Sequence, residues 1–268
     1  MREDLANILD FTKQTAWQAG KLIADARDSD DLSYTYKRGI ELVSSADEMS
    51  DAFIRSAIQQ QFPSHPVLSE EGDDSLDKIE SRGPIWIVDP LDGTVNYAHR
   101  HAHVSISIAY AEDGLVQVGV VYCPFREETF SAMKGEGSWR NNVKLQVSDQ
   151  TEIKRALIST GFPHDRSNID PLIRKVRALV LHCQDIRRLG SPALEICWVA
   201  DGRLDGVYET LFPWDIAAAC LVAEEAGATK GHLGQVPSNI PVDLYGQDIV
   251  VATPHIFRPL VRILKGEA

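Results

Sequence analysis

"IWIVDPLDGTVNYAHR", from Ile85 to Arg100, opens as a buried strand and closes as a site. Ile85, Trp86, Ile87 and Val88 form an unbroken apolar run, and Asp89, Pro90, Leu91, Asp92, Gly93 and Thr94 follow directly. Two carboxylates held close at a strand end repel each other and raise each other's pKa unless a cation sits between them. The segment therefore asks for a metal ion and for further ligands elsewhere in the chain.

Upstream, "PVLSEEG" (66–72) predicts a short strand ending in Glu70 and Glu71, and the polar stretch from Asp73 to Arg82 predicts a mobile loop. Further back, Leu5, Ile8, Phe11, Thr12, Ala16, Ala19 and Ile23 mark one face of a helix over 4–27. Ser45 and Glu48 fit a capping box that starts a second helix, whose stripe runs through Phe53, Ala57 and Ile58. Asp47 falls in that first turn, where the helix dipole alone would favour it.

Downstream, "HVSISIAY" and "LVQVGVVY" alternate with period two around the turn signal Glu112–Gly114, which predicts a hairpin. "GEGSWRNN" predicts a turn between short strands rather than a phosphate loop, because no strand-to-helix pattern surrounds it. Beyond residue 150, strands (157–160, 204–209, 248–253) alternate with helices (170–183, 190–202, 213–227 and a last one over 254–265). Helices then antiparallel strands, followed by this alternation, predict an α+β half over 1–150 and an α/β half over 151–268. No linker composition separates them, so they are expected to pack tightly. The fold class is mixed α+β and α/β.

Charged residues make up 25% and hydrophobic residues 44%, as in an ordinary globular protein. The longest apolar run, Ile216–Ala223, is too short to cross a bilayer. "MREDLANILD" lacks the apolar stretch of a signal peptide, which makes the cytoplasm the expected location. Four cysteines without a CxxC pairing read as buried thiols in a reducing compartment. A net charge of −12 argues against nucleic-acid binding and would repel an anionic substrate unless a metal reverses the field locally.

Asp215 begins a predicted helix after "FPW", so Glu70, Asp89, Asp92 and Asp215 all stand at strand ends or helix starts. An all-oxygen set suits Mg²⁺. His99, His101 and His103, spaced by two, could instead face one side of a strand and bind zinc. Glu224 and Glu225 read as a solvated helix face.

Asp89-Pro90-Leu91-Asp92-Gly93-Thr94, followed by Asn96, Tyr97, His99 and Arg100, resembles the signature of the inositol monophosphatase family of Mg²⁺-dependent, lithium-sensitive phosphatases. The Glu70-Glu71 pair, Trp214–Ala218 and Glu225–Gly227 match in order and spacing. The resemblance covers nearly the whole chain and implies a layered α-β-α-β-α sandwich, two to three Mg²⁺ ions and a homodimer. It implies that Glu70, Asp89 and the Leu91 carbonyl hold one ion. Asp89, Asp92 and Asp215 hold another, and a third leans on Glu70 and waters. Glu70 and Thr94 orient the attacking water, with Asp47 supporting Thr94. Asp92 and the N–H groups of Gly93 and Thr94 meet the phosphorylated substrate, and Gly190, Ser191, Pro192 and Glu209 face its alcohol side.

Two departures concern that alcohol. Pro192 stands where the family usually has alanine, and Glu209–Trp214 reads as one residue short. Inositol 1-phosphate is the first substrate expected, with histidinol phosphate, fructose 1,6-bisphosphate and 3′-phosphoadenosine 5′-phosphate as alternatives. A regulatory binding protein that keeps the fold, engaging a transcription complex, is the alternative of another class.

Overall fold

The computed structural model describes residues 4–29, 32–37, 41–72, 82–163, 167 and 169–267. Most of the loop expected over 73–82 therefore lies outside the described residues. Period-two alternation in two sheets sorts side chains into three apolar clusters, and the clusters define the layers.

The first sheet has seven strands in the order β3-β4-β5-β6-β7-β8-β9. They are β3 (Val67–Ser69), β4 (Pro84–Asp92), β5 (Ser105–Glu112), β6 (Leu115–Cys123), β7 (Glu128–Met133), β8 (Gly137–Arg140) and β9 (Val143–Lys144). β3 runs parallel to β4 and every other pair is antiparallel. Trp86 and Val88 of β4 point toward helices α1 (Leu5–Arg27) and α2 (Ser45–Gln61), which lay Ile8, Ala16, Ile23, Ile54 and Ile58 on them. Ile85 and Ile87 point the other way, into a core with α5 (Pro192–Ala200) and α6 (Pro213–Glu225).

The second sheet has the order β11-β10-β12-β14-β13. β10 (Leu157–Thr160) runs parallel to β11 (Asp185–Arg187) and β12 (Gly206–Glu209), while β14 (Ile249–Ala252) runs antiparallel to β12 and β13 (Thr229–His232). Val207, Ile249 and Val251 face α5 and α6; Tyr208, Val250 and Ala252 face α4 (Asp170–His182) and α7 (Pro254–Lys265). The architecture is the expected layered α-β-α-β-α sandwich. Its central core draws on both sides of residue 150.

The middle layer explains the run Ile216–Ala223. A helix between two sheets is apolar all round rather than amphipathic, and α6 buries every residue from Ile216 to Ala223. It lies close to β6, because a Cβ on Gly119 would stand 2.6 Å from the carbonyl oxygen of Ala218. No helix of the described residues is long and apolar enough to cross a membrane.

The sequence reading missed β1 (Tyr34–Lys37), β2 (Glu41–Ser44), β11 and β13, all short and mostly polar. β1 and β2 pair only with each other, and β11 and β13 are the edges of their sheet. Edge strands carry little of the apolar alternation that reveals a strand. The capping box of α2 also starts one residue earlier than expected. Ser44 is the cap and donates its N–H to Asp47 Oδ2 at 2.8 Å.

Candidate metal centre

The two aspartates of β4 cannot share a face in a regular strand, since positions three apart point to opposite sides. A register shift brings them together: Asp89 pairs with Ser107 and Asp92 with Ser105, so three steps on β4 match two on β5. This is a bulge, and Pro90, which has no N–H to give a ladder, falls inside it. Asp89 Oδ1 accepts the Leu91 N–H at 3.0 Å, and the Pro90 carbonyl accepts the Ser50 hydroxyl at 2.8 Å.

Asp215 arrives from the middle layer as the third residue of α6, where its Oδ2 accepts the Phe212 N–H at 2.7 Å. Phe212 has no side-chain acceptor to complete a reciprocal cap, so Asp215 alone makes this cap. Carboxylate oxygens of Asp89, Asp92 and Asp215 lie within 4.8 Å of one another, all three residues buried. Glu70 follows β3, anchored by its N–H on the Val88 carbonyl at 3.2 Å, and its carboxyl lies beside that of Asp89.

Burial, and then the neighbouring carboxylates, push Glu70 and Asp89 well above the usual carboxylate range. The charges acting on Glu70 are Asp215, Glu71 and Asp47; those acting on Asp89 are Glu70, Asp92 and Asp215. All are anions. Burial lifts Asp92 to about 7 even though its Oδ2 accepts the hydroxyls of Ser191 (2.6 Å) and Ser105 (3.0 Å) and the N–H of Ala193 (3.0 Å). All three donors converge on one oxygen.

Gly93 caps the short helix α3 (Thr94–Ala98) at φ +95°. A side chain there is excluded twice over. The backbone is left-handed, and a Cβ would meet the carbonyl oxygens of Gly190 at 2.9 Å and His103 at 3.2 Å. Thr94 donates its hydroxyl to Asp47 Oδ1 at 2.9 Å. Asp47 is buried, which raises it to about 6 against the pull of Ser44 and Thr94. Glu71 acts on Glu70 and Asp47 as a charge.

The stretch expected to meet the substrate's alcohol lies beside this cluster, but its side chains divide. The Ser191 hydroxyl is fully buried on Asp92. Pro192 opens α5. Glu209, at the end of β12, packs on Gly161, where a Cβ would come within 2.0 Å of its carboxyl carbon. Burial first, then Glu195 and Asp215, push Glu209 well up.

Sequence reasoning missed Ser105 and Glu195. Glu195 is buried in α5 and its Oε1 accepts the N–H groups of Leu189 (3.1 Å) and Gly190 (2.7 Å), shaping the turn before Ser191. Its signal was available as a lone carboxylate in the apolar run "ALEICWVA". Asn96 fastens the same turn to α3, donating to the carbonyls of Leu189 (2.6 Å) and His103 (2.8 Å).

The histidines form no site. Strand β5 starts only at Ser105, so His99, His101 and His103 do not share a strand face. His99 and His101 are exposed, whereas His103 is buried with its ring edge-on to Trp198 at 4.8 Å and is lowered to about 4 by that burial. Glu225 is half-buried and has a structural role: it accepts the N–H groups of Gly135 and Gly137, both at 2.8 Å, and so fastens the glycine-rich turn. Glu224 pairs with Lys230 at 3.1 Å.

The sequence model of the inositol monophosphatase family matches residues 4–262. The Nus factor SuhB of Pasteurella multocida is 37% identical over 241 residues, 84% of this chain and 90% of that one. Inositol monophosphatase 3 of Solanum lycopersicum is 33% identical over 261 residues, 96% of each chain. The crystal structure of extragenic suppressor protein suhB from Bartonella henselae superposes with a TM-score of 0.87 at 29% identity, covering 98% of this chain and all of that one. A match that runs from α1 into α7 and carries the same layered fold places the chain in the inositol monophosphatase family.

Proposed function

We propose that this chain is a Mg²⁺-dependent phosphomonoesterase that hydrolyses a small phosphate monoester, with inositol 1-phosphate as its first substrate. The observation that supports it most is the buried cluster of Asp89, Asp92 and Asp215, whose carboxylates face one another with only anions acting on Glu70 and Asp89 beside them. Several buried, like-charged carboxylates are stable together when cations sit among them. The donors are oxygen only, which fits a hard ion such as Mg²⁺. Glu70, Asp89 and the Leu91 carbonyl would hold one ion and Asp89, Asp92 and Asp215 another; a third would rest on Glu70. Bound Mg²⁺ would neutralise charge on the phosphoryl group and make a water easier to deprotonate.

The chain's own residues do the rest. The Thr94 hydroxyl donates its hydrogen bond to Asp47 Oδ1, so the lone pairs of Oγ1 remain to accept a hydrogen from water and aim its oxygen. Glu70, beside Asp89, takes the water's proton. Gly93 and Thr94 bring backbone N–H groups to the phosphate oxygens, and no side chain at Gly93 stands in the way. Gly190, Pro192 and Glu209 bound the alcohol, while Ser191 serves it indirectly by fixing Asp92. Phosphoryl transfer of this kind needs positioning and charge neutralisation rather than a covalent nucleophile.

The test is phosphate release by chelator-treated protein given Mg²⁺ and inositol 1-phosphate, histidinol phosphate, fructose 1,6-bisphosphate, 3′-phosphoadenosine 5′-phosphate or glycerol 2-phosphate. Release that needs Mg²⁺ and is inhibited by Ca²⁺ and Li⁺ supports the reading; no release from any of them overturns it. The name of the Pasteurella relative, a Nus factor, favours a second reading, a regulatory part in a transcription complex. That role would survive Asp92→Asn, whereas hydrolysis would not.

A further inference from the structure

We propose that Arg188 is a specificity-determining residue, which selects substrates whose alcohol carries a second anionic group, a carboxylate or phosphate, at its far end. This rests on the phosphatase reading and narrows its substrate class, ranking esters whose alcohol carries a second anion above neutral ones such as inositol 1-phosphate.

The placement comes from the second sheet. β10, β11 and β12 run parallel, and their carboxyl ends release Gly161-Phe162, Arg188 and Glu209 side by side. Ligands of open parallel sheets bind in the crevice beyond such strand ends. Arg188 folds back over the turn that borders the metal centre. A Cβ on Gly190 would stand 2.3 Å from its Nη1, and the Gly190 carbonyl in turn abuts Gly93. The guanidinium thus lies two contacts from the expected phosphate position, on the side where the alcohol would leave.

Three further observations give it a ligand to read. Among the described residues no carboxylate forms an ion pair with Arg188 and no acceptor takes a hydrogen bond from its side chain, although the chain carries a net charge of −12. In such a field an arginine side chain readily finds a carboxylate; its neighbour Arg187 holds Asp185 at 2.6 Å. Next, the charge of Arg188 acts on both Glu209 and Glu195, so it brings positive charge to this wall. Finally, its guanidinium carbon lies 5.9 Å from the centre of the half-exposed Phe162 ring, close enough for the ring face to steady it.

The division of labour follows. Glu209 lies deep and accepts hydroxyl hydrogens near the reacting phosphate. Arg188 lies at the rim with a planar fork of donors, the geometry that grips a carboxylate or phosphate through two parallel hydrogen bonds. A hydroxylated chain phosphorylated at one end and anionic at the other satisfies both.

Glucitol 6-phosphate and gluconate 6-phosphate are a matched pair, six carbons each, differing at the far end in a CH₂OH against a carboxylate. Wild-type protein with Mg²⁺ should hydrolyse the gluconate ester with the higher kcat/KM. Arg188→Ala should lower kcat/KM for that ester by about tenfold, the value of one charge-assisted contact at a partly exposed site. The loss should appear in KM, with glucitol 6-phosphate changed by less than about a factor of two and Tm unchanged. Arg188→Lys should recover part of the preference. Raising salt should erode it in the wild type and not in Arg188→Ala. Equal effects on the two esters, or a wild-type preference for the uncharged one, would overturn the assignment while leaving the phosphatase intact. Phosphate released from neither ester, nor from any compound of the wider panel, would overturn the phosphatase reading and this one with it.

Discussion

Metal-free protein should become less stable as pH rises through neutrality, and Mg²⁺ should cancel the loss. Burial holds Asp92 at about 7 in the folded chain against 3.8 when exposed. Its folded pKa is raised, so the native state binds a proton that the unfolded state has released. The stabilisation linked to that proton is complete below about pH 4 and is lost progressively as pH rises to about 7. Each pH unit inside that window costs about 1.4 kcal/mol per group. From about pH 5.5 to 8, Asp92 alone therefore accounts for on the order of 2 kcal/mol, or about 4–8 °C in Tm for a chain of this size. Asp47, raised to about 6, adds to the first part of the same fall.

Thermal melts in EDTA across that pH range, repeated with saturating Mg²⁺, measure this directly. Mg²⁺ replaces protons in the cluster, so its stabilisation should be larger at about pH 8 than at 5.5. Asp92→Asn carries no titrating proton there, and its EDTA melts should show a shallower decline than wild type. A wild-type Tm in EDTA that is flat or rises from pH 5.5 to 8, or an identical slope in Asp92→Asn, would refute the electrostatic account of the cluster.

Other outcomes follow from the same geometry. Asp92→Asn should lower Mg²⁺-dependent turnover at least about a hundredfold, more than the loss of an outer partner, with the fold retained by circular dichroism; turnover above a tenth of wild type would remove Asp92 from the metal site. Ser191→Ala takes away the 2.6 Å donor to Asp92 and should raise the Mg²⁺ concentration for half-maximal rate about tenfold, with KM for substrate little changed. Thr94→Ala removes the hydroxyl held on Asp47 Oδ1 and should cut kcat by about a hundredfold or more at unchanged Mg²⁺ dependence. Gly119→Ala would push a methyl to 2.6 Å from the Ala218 carbonyl and should destabilise the chain by about 1–3 kcal/mol in denaturant melts, with the metal requirement unaltered.

Features set by neighbours in sequence were legible, and features set by distant pairing were not. The strand that ends in Asp89 and Asp92 shows in its apolar run, but the bulge that aligns the two carboxylates depends on the register of β4 with β5. Ser191 sits in a stretch that resembles a substrate loop; its hydroxyl turns to Asp92 because α5 docks against the end of β4, a contact between residues 99 positions apart. Ser44-Asp47 and Ser45-Glu48 offer two capping boxes one step apart. Strand β2, which runs through Ser44, selects the first, and that choice aims the other oxygen of Asp47 at Thr94. Glu225 looked like surface until Gly135 and Gly137, some 90 residues away, supplied its donors.

The middle layer explains how so much negative charge is gathered at one point. Both of its helices begin at the cluster. Ala193, in the first turn of α5, gives its N–H to Asp92, and Asp215 occupies the first turn of α6. Helix starts favour negative charge by up to about 2 kcal/mol in partly buried settings, which offsets part of the repulsion but not the burial that still holds Asp92 near 7. The helices can only aim there because both sheets pack on them, which demands the apolar, small-residue surface of α6 and the bare backbone of Gly119. The residual cost then falls to a cation. The cluster is thus a product of the contact between the first sheet and the middle layer, with β4 giving Asp89 and Asp92 and α6 giving Asp215, and neither layer alone would assemble it.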